Sequence, residues 1–276
     1  EHFLAKEKVT GSSPVARSLA QHRRPMPRGC TRDILDLLVF CFLGDASMTN
    51  RSNDIIALIP AWNEASRLGP VINQTHEHLP VLVVDDGSED ATARVAREAG
   101  AAVISHTQNQ GKGVALMTGF DFALAHDYGA VLTLDADGQH DPADIPKFVS
   151  AYASGNWDLI IGKRDFGQMP FPRCYTNPFG SWLLSRALDE RILDNQSGFR
   201  LHNRDLLKML NLTTSGFELE VEVIIQAVCR DMRIGWVEIR TIYDVDKVSY
   251  FDPLKDSARF LGMVWRARRA RNSCGH

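Results

Sequence analysis

Two carboxylates with one residue between them are the part of this sequence whose chemistry is easiest to name. Asp135-Ala136-Asp137-Gly138-Gln139 follows directly after the apolar run at residues 130–134. Carboxylates at this spacing can both reach one hard cation such as Mg²⁺ or Mn²⁺, which in turn binds diphosphate oxygens, and Gln139 can add a carbonyl ligand. The same residues also suit an Asx-turn with solvated side chains. The triplet alone therefore leaves a metal site and a simple turn both open.

Polar side chains also follow two other short apolar runs. Asn63 and Glu64 come after residues 55–60, and Asp85 and Asp86 come after residues 80–84. Ligands of open parallel sheets bind beyond the carboxyl ends of the strands, so three polar strand ends at one edge predict a site.

The segment Asn109-Gln110-Gly111-Lys112-Gly113 lacks the spacing of a P-loop. Its glycines permit close backbone approach, and Lys112 can offset phosphate charge.

Strands that alternate with helices must position these residues. The pattern predicts an α/β fold with a mainly parallel sheet, helices on both faces, and a single catalytic domain. Strands are predicted at residues 55–60, 80–84, 101–105, 130–134, 158–162 and 234–241. Helices are predicted up to residue 78 and over 88–99, 113–126, 179–189, 203–210 and 217–230. A long loop is predicted for residues 163–180, which are rich in Gly, Pro, Phe and Arg.

Composition narrows the function classes. The 276 residues are 44% hydrophobic and carry a net charge of -3, which argues against nucleic acid as a partner. We expect residues 1–47 to be a disordered extension or a non-native start, residues 48–265 to be the catalytic domain, and residues 266–276 to be a basic tail. Five scattered cysteines without CxxC spacing indicate reduced thiols in a cytoplasmic protein.

Membrane contact, if present, is expected to be peripheral. No segment of the sequence approaches the roughly 18 to 20 apolar residues that span a bilayer. The basic run at residues 266–271 is either a contact with the inner face of the membrane or a solvated chain end. The sequence leaves the oligomeric state open.

Six motifs occur together in a characteristic order, and their order resembles family 2 glycosyltransferases of the GT-A fold. The similarity covers roughly residues 54 to 262 and is strongest to the dolichol-phosphate mannose or glucose synthase branch. The motifs are Ile59-Pro60-Ala61-Trp62-Asn63-Glu64-Ala65, Val83-Val84-Asp85-Asp86-Gly87-Ser88, Asn109-Gln110-Gly111-Lys112-Gly113, Leu134-Asp135-Ala136-Asp137-Gly138-Gln139, Gln196-Ser197-Gly198-Phe199-Arg200 and Gly216-Phe217-Glu218-Leu219-Glu220-Val221-Glu222.

The resemblance implies inverting sugar transfer from a GDP- or UDP-sugar to a polyprenyl (dolichyl or undecaprenyl) phosphate at the membrane surface, with Mg²⁺ or Mn²⁺. It implies a metal site at Asp135, Asp137 and Gln139. It places Arg200 near the diphosphate or the acceptor. The implied nucleotide-binding residues are Pro60, Asn63, Glu64, Asp85, Asp86, Lys112, Asp135 and Ala136.

For the acceptor phosphate, the resemblance points to Arg164 and, less closely, to Arg173. Many members of the family have Asn-Arg after the acceptor loop, whereas this chain has Asn177-Pro178. The change removes one cation from the acceptor-phosphate site that the resemblance implies.

The acceptor decides whether a general base is needed. An anionic phosphate needs no strong base, whereas a sugar hydroxyl does. Glu218, Glu220 and Glu222 are the candidate bases, or else they form a solvated acidic face. Asp137, Arg200, Glu220 and Glu222 are the predicted catalytic residues.

Three other functions remain open. One is transfer to a sugar hydroxyl in cell-wall or polysaccharide assembly. A nucleotidyltransferase would share the core, but the Ser-Gly-Phe-Arg segment argues against it. A non-catalytic nucleotide-sugar-binding protein is the third, and the intact Asp135 and Asp137 count against it.

Overall fold

The computed structural model describes residues 54–169, 171, 173–216, 218–242 and 253–274, with side chains of the last segment described from Arg259 onward. These residues all belong to one compact unit. The predicted extension at residues 1–47 lies outside them. The unit contains one seven-stranded sheet. Its strands are β1 (Ile55–Ala61), β2 (Val81–Asp85), β3 (Ala102–Ser105), β4 (Ala130–Thr133), β5 (Leu159–Lys163), β6 (Arg200–Asn203) and β7 (Ile234–Glu238).

The sheet is mainly parallel, as the sequence predicts. The strand order is β3-β2-β1-β4-β6-β5-β7. Strands β1 to β4 pair in parallel, and so do β5 and β7. The exception is β6, which runs antiparallel between β4 and β5. The first four strands therefore bring their carboxyl ends to one edge.

Helices cover both faces of the sheet. The described residues contain eight α-helices: α1 (Ala65–His76), α2 (Thr92–Glu98), α3 (Lys112–Ala125), α4 (Ile145–Ala153), α5 (Arg173–Leu188), α6 (Arg204–Met209), α7 (Glu218–Val228) and α8 (Pro253–Ser273). Short 3-10 turns lie at Pro142–Asp144 and Phe166–Gln168.

Alternation along β1 separates the two layers of the core. Ile56 and Leu58 face the cluster that includes side chains of α3, α5, α6, α7 and α8. Ile55 and Ile59 face the cluster that includes side chains of α1, α2 and α4. A Cβ on Gly119 of α3 would lie 2.3 Å from Leu58 Cδ1, so glycine lets this helix pack directly on the strand.

Two features near the carboxyl half differ from the sequence-based predictions. Strand β6 was not predicted, because its four residues Arg-Leu-His-Asn show no long apolar run. The predicted loop at residues 163–180 ends early, since α5 begins at Arg173 and includes Pro178. A proline inside a helix removes one backbone hydrogen bond, which is why the sequence predicts a later start.

The last helix crosses a predicted boundary. The sequence places the end of the catalytic domain at residue 265, but α8 continues to Ser273 without a break. Met263 and Ala267 of this helix are buried in the core. The basic run is therefore helical and packed on the domain. Within the described residues, no helix combines the length and the apolar character needed to cross a membrane.

Candidate active site

The carboxyl ends of β1 and β2 lie side by side. Pro60 and Ala61 are in register with Val84 and Asp85. The backbone N–H of Asp86 donates to the carbonyl oxygen of Ala61 at 2.8 Å. The polar segments that follow these two strands therefore meet at one edge, as the sequence predicts.

The turn after β1 is fastened to the segment after β2. Asn63 has φ of +54°, a left-handed conformation that asparagine tolerates better than most residues. Its N–H donates to Ser88 Oγ at 2.9 Å, and its Oδ1 accepts from the N–H of Glu89 at 2.9 Å. The N–H of Glu64 donates to Thr92 Oγ1 at 2.9 Å. Asn63 and Glu64 therefore form a fixed wall of the site.

The two aspartates after β2 are used to hold loops. Asp85 Oδ1 accepts from the N–H of Ser88 at 3.1 Å. Asp86 accepts from the N–H groups of Gln110 at 3.0 Å and Gly111 at 2.7 Å. Both aspartates are buried, at 5% and 3% exposure. Asp85 and Asp86 therefore hold the loops at this edge, and their predicted contacts with the nucleotide stay predictions.

A histidine that the sequence analysis did not single out completes this support. His106 Nδ1 lies 2.7 Å from Asp86 Oδ1, and its Nε2 lies 3.0 Å from Thr118 Oγ1. His106 is recognised as part of the site only through its contact with Asp86, which is 20 residues away in the chain. No sequence pattern therefore predicts its role.

Lys112 joins the two sides of the site. Its Nζ donates to Asp135 Oδ1 at 2.6 Å and to Glu220 Oε1 at 2.8 Å. Burial alone lowers the pKa of Lys112, but the charges of Asp135 and Glu220 outweigh burial and raise that pKa above its usual value. Lys112 is therefore a permanent cation between a residue of the turn after β4 and a residue of α7.

The Asp-Ala-Asp turn after β4 is well ordered by its own hydrogen bonds. Asp137 Oδ1 accepts from the N–H of Gln139 at 3.0 Å, which is an Asx-turn. The Gln139 carbonyl accepts from the N–H of Ile242 at 2.9 Å. Ala136 is buried at 4% exposure. The backbone oxygen of Gln139 is thus engaged, and its side-chain amide is the group left to serve as a metal ligand.

His140 fixes the position of Asp135. Its Nδ1 accepts from the backbone N–H of Asp135 at 3.2 Å. Burial lowers the pKa of His140, so the imidazole is neutral near pH 7. Burial raises the pKa of Asp135, but the Lys112 charge more than offsets it and holds that pKa well below its usual range. A Cβ on Gly198 would lie 2.8 Å from Asp135 Oδ2, so glycine makes room for the carboxylate.

The oxygen atoms of this turn fit a divalent cation that arrives with its substrate. Among the residues that the structure describes, no group of three or more His, Cys, Asp or Glu side chains is arranged to hold a metal. Mg²⁺ is often bound through one or two carboxylates, with the rest of its shell supplied by water and phosphates. Asp135 and Asp137 match that open kind of site better than a closed structural one.

Arg164 lies next to the same turn. Its Nε and Nη2 donate to Asp194 at 2.7 and 2.9 Å. Its charge is among those that lower the pKa of Asp135. Arg173, the second predicted acceptor cation, is the first residue of α5 and is partly exposed. Asp194 was not predicted, since an isolated aspartate in a loop carries no signal of its own.

Arg200 occupies the protein interior, at 1% exposure. Its guanidinium donates to the backbone carbonyl oxygens of Ser197, Asn195 and Glu220. These contacts indicate that Arg200 positions the backbone, and its predicted contact with diphosphate or acceptor stays a prediction. Arg200 ties the Ser-Gly-Phe-Arg segment to the helix that carries Glu220.

The three candidate bases are all engaged. Glu222 accepts from the N–H and hydroxyl groups of Thr213 and Thr214 at 2.8 to 3.1 Å. Burial raises the pKa of Glu222, but these hydrogen bonds outweigh it and lower that pKa. Glu220 is buried against Lys112, and Glu218 lies 3.6 Å from Arg259. Glu222 therefore holds the 213–214 loop, and its predicted catalytic role stays a prediction.

A cavity of about 330 Å³ lies beside the Asp-Ala-Asp turn. Its walls include Asp165, Gln168, Arg240 and Ile242. A β-bridge between His140 and Thr241 joins one wall to the turn. The cavity is thus connected to Gln139 and His140, the residues that follow the Asp-Ala-Asp triplet.

Comparison with known proteins finds a matching family and similar named proteins. A family model described as "Glycosyl transferase family 2" matches residues 56–210. UDP-N-acetylglucosamine–dolichyl-phosphate N-acetylglucosaminyltransferase of Methanococcus voltae is 31% identical over 68% of this chain and 86% of its own length. Polyprenol monophosphomannose synthase of Mycolicibacterium smegmatis is 27% identical over 79% of this chain and 83% of its own.

A solved structure shares the fold. Glucosyl-3-phosphoglycerate synthase from Mycobacterium tuberculosis, in complex with Mn²⁺, UDP and phosphoglyceric acid, superposes with a TM-score of 0.62. It is 23% identical, and the match covers 80% of this chain and 78% of that one. At this identity the match supports the fold and not the substrate.

Proposed function

The chain belongs to glycosyl transferase family 2, and from this premise we propose that it transfers one sugar from a nucleoside diphosphate sugar to the phosphate of a polyprenyl phosphate. That it is a glycosyltransferase follows from the family and the named relatives.

One structural observation supports a phosphate acceptor over a hydroxyl acceptor. Glu218, Glu220 and Glu222, the three candidate general bases, are held by Arg259, by Lys112 and by the 213–214 loop respectively. A sugar hydroxyl must lose a proton as it reacts, whereas a phosphate monoester is already anionic near pH 7. The names of the two relatives describe enzymes of lipid phosphates, which also supports a phosphate acceptor.

The donor is proposed to bind across the ends of β1, β2 and β4. The turns at Asn63–Glu64 and Asp85–Ser88 form the wall for the nucleoside, with Pro60 beneath them. Asp135 and Asp137, with Gln139, are the residues that would hold Mg²⁺ or Mn²⁺. A divalent cation at this place would offset negative charge on the diphosphate. Lys112 adds a fixed positive charge next to Asp135.

The acceptor is proposed to enter from the side of Arg164 and Arg173. Arg164 is oriented by its two bonds to Asp194, and it orients the acceptor phosphate through charge. The acceptor oxygen forms a bond to the anomeric carbon as the bond to the diphosphate oxygen breaks. The nucleoside diphosphate leaves with the electron pair, and this single displacement inverts the anomeric centre. Asp137 is proposed to support the displacement through the cation that it would hold, and Glu220 through Lys112, whose position it fixes.

The catalytic domain is proposed to include all of α8, since that helix is packed into the core through Met263 and Ala267. We propose a cytoplasmic domain that works at the inner face of the membrane, because the lipid acceptor resides there. Its oligomeric state does not enter this proposal.

The test is a donor screen on the full chain. UDP- and GDP-sugars are incubated with a short prenyl phosphate in Mn²⁺, in Mg²⁺, and in excess chelator. We expect a glycosylated prenyl phosphate with one donor class, and at least about 100-fold less product in chelator. Equal product in chelator would overturn the metal assignment, and no product with any donor would overturn the proposed function.

A further inference from the structure

Large aromatic side chains stand on the outer surface of α5, where a water-soluble helix usually carries polar groups. Tyr175, Phe179 and Trp182 are 72%, 59% and 56% exposed. Their spacing of four and three residues places them in one stripe along the helix. The rings of Phe179 and Trp182 stack with centroids 5.8 Å apart. Arg186 is exposed one turn further along the same stripe.

Helix α8 carries a second stripe of the same kind. Leu261 and Trp265 are 57% and 63% exposed, again four residues apart. Arg268 and Arg269 are exposed one turn further, and the guanidinium of Arg269 lies 5.5 Å from the Trp265 ring. Apolar residues followed by arginines thus repeat on both helices.

The two helices pack side by side in the same direction. A Cβ on Gly180 of α5 would lie 3.4 Å from Phe260 of α8. Nine residues beyond Gly180, Asp189 lies 3.1 Å from Arg268, which is eight residues beyond Phe260. The two helices are therefore neighbours, and we call their exposed stripes together the aromatic–arginine face. It consists of Tyr175, Phe179, Trp182, Arg186, Leu261, Trp265, Arg268 and Arg269.

Charge on these helices is opposite to that of the whole chain. The chain carries a net charge of -3. From Arg173 to Leu188 and from Arg259 to Cys274 there are seven arginines and no Asp or Glu. Arg259 and Arg268 reach carboxylates of Glu218 and Asp189, which lie outside these two segments. Exposed apolar side chains bordered by cations are the combination that binds the interface of an anionic bilayer.

The inner side of α5 supports the acceptor side of the active site. Ser181 Oγ donates to Asn195 Oδ1 at 2.9 Å, next to the Asp194 that binds Arg164. One helix, about 10 Å across, therefore separates the exposed aromatic residues from the cation proposed for the acceptor phosphate. Interfacial helices bury their apolar face about 5 to 10 Å deep, which leaves such a cation near the level of lipid headgroups.

We propose that the aromatic–arginine face docks the enzyme on an anionic lipid bilayer with its acceptor side toward the headgroups. This inference deepens the proposed function and rests on it for its purpose, since a polyprenyl phosphate is held in a membrane. The docking itself depends only on the chemistry of the face.

The test is co-sedimentation of the full chain with vesicles of phosphatidylcholine, with and without an anionic phospholipid. We expect binding to the anionic vesicles that weakens in high salt. The Phe179→Ser/Trp182→Ser/Trp265→Ser variant is expected to bind at least about tenfold more weakly to anionic vesicles. The Arg268→Gln/Arg269→Gln variant is expected to lose about tenfold on anionic vesicles and little on neutral ones.

Two substitutions at exposed residues elsewhere serve as matched controls. Met209→Ser removes an apolar side chain that is 47% exposed, and Arg94→Gln removes a cation from α2. Both are expected to bind vesicles as the unaltered chain does. Wild-type-like binding by the triple serine variant, or self-association through this face without vesicle binding, would overturn the docking assignment.

A second readout separates docking from the proposed function. With a short prenyl phosphate dissolved without vesicles, the triple serine variant is expected to retain its activity within about twofold, because docking is no longer needed. An equal loss of activity with the dissolved and the vesicle-bound acceptor would overturn docking as the role of this face. Vesicle binding by a chain that transfers no sugar to any prenyl phosphate would overturn the proposed function and leave docking intact.

Discussion

The segment from β1 to Gln139 and the segment from β5 to Glu222 both bring charged side chains to the same edge of the sheet, and each has a buried charge that backbone groups of the matching polarity hold. In the first segment, carboxylates such as Asp86 are held by backbone N–H donors. In the second, the guanidinium of Arg200 is held by backbone carbonyl oxygens. The two segments meet where Lys112 of the first binds Glu220 of the second.

The comparison separates groups that build the site from groups that act in it. Asp86 and Arg200 are buried and satisfied by the backbone, so their charges fix loops. Asp135, at 28% side-chain exposure, lies where solvent and ligand can reach it. Charge type in a motif therefore does not reveal the role of a residue, whereas burial and hydrogen-bond partners do.

The largest effect is expected from Asp135→Asn. The change removes a carboxylate proposed to hold the cation and weakens the partner of Lys112. Loss of one preorganised electrostatic group in an active site typically lowers the rate by 10² to 10³-fold, and we expect about 10³-fold in kcat/KM. Steady-state transfer assays check this value. Asp127→Asn, at a carboxylate that is 90% exposed, is the matched control and is expected to change nothing.

Full activity of Asp135→Asn would show that Asp135 takes no part in catalysis. Asp135 would then be a structural residue like Asp86, and the distinction drawn between the two would be wrong.

The next effect is expected from Arg200→Met, and it is an effect on stability. Three backbone carbonyl oxygens lose their donor in the interior, so the free energy of unfolding should fall by about 3 kcal/mol or more. Urea denaturation measures the change, and Arg94→Met, on an exposed helix, is the control. A variant that unfolds like the unaltered chain but loses transfer activity would show that Arg200 acts on substrate, as the sequence first suggests.

A smaller effect is expected on the pH dependence of stability, and it arises from the buried His202. Burial and the nearby Arg200 charge lower the pKa of His202 to about 3 in the folded protein. The unfolded chain binds that proton near pH 6.5, so stability is fully present above that pH and is lost as the pH falls toward 3. Between pH 7 and pH 5, the free energy of unfolding of His202→Leu should therefore fall by roughly 2 kcal/mol less than that of the unaltered chain.

Urea denaturation at several pH values gives this difference, and His78→Leu at an exposed site is its control. An unchanged acid slope in His202→Leu would mean that β6 does not bury a neutral imidazole.

The same two segments differ in how far the sequence predicts them. Apolar runs such as residues 80–84 are long enough to predict β1 to β4, and their acidic ends predict the edge that carries the site. Strand β6 escapes prediction because its four residues include Arg, His and Asn, and they become buried only when the strand lies between β4 and β5. Pro178 disfavours a helix locally, so the sequence predicts that α5 begins later than it does. Packing of α5 on α8 overrides this local preference.

Roles within the site are predicted less well than its place. The motif that contains Asp85 and Asp86 is visible in the sequence, but their use as loop anchors depends on Ser88, Gln110 and Gly111 reaching them in space. The pairing of Lys112 with Glu220 spans 108 residues, so it is likewise a property of the fold alone.

The central claim is that the acceptor is a phosphate that needs no general base, and a matched pair of acceptors tests it most directly. A prenyl phosphate and the prenyl alcohol of the same chain length are compared with the active donor under the same conditions. The account predicts transfer to the phosphate and at least about 100-fold slower transfer to the alcohol. Comparable transfer to the alcohol, or transfer to the alcohol alone, would contradict it.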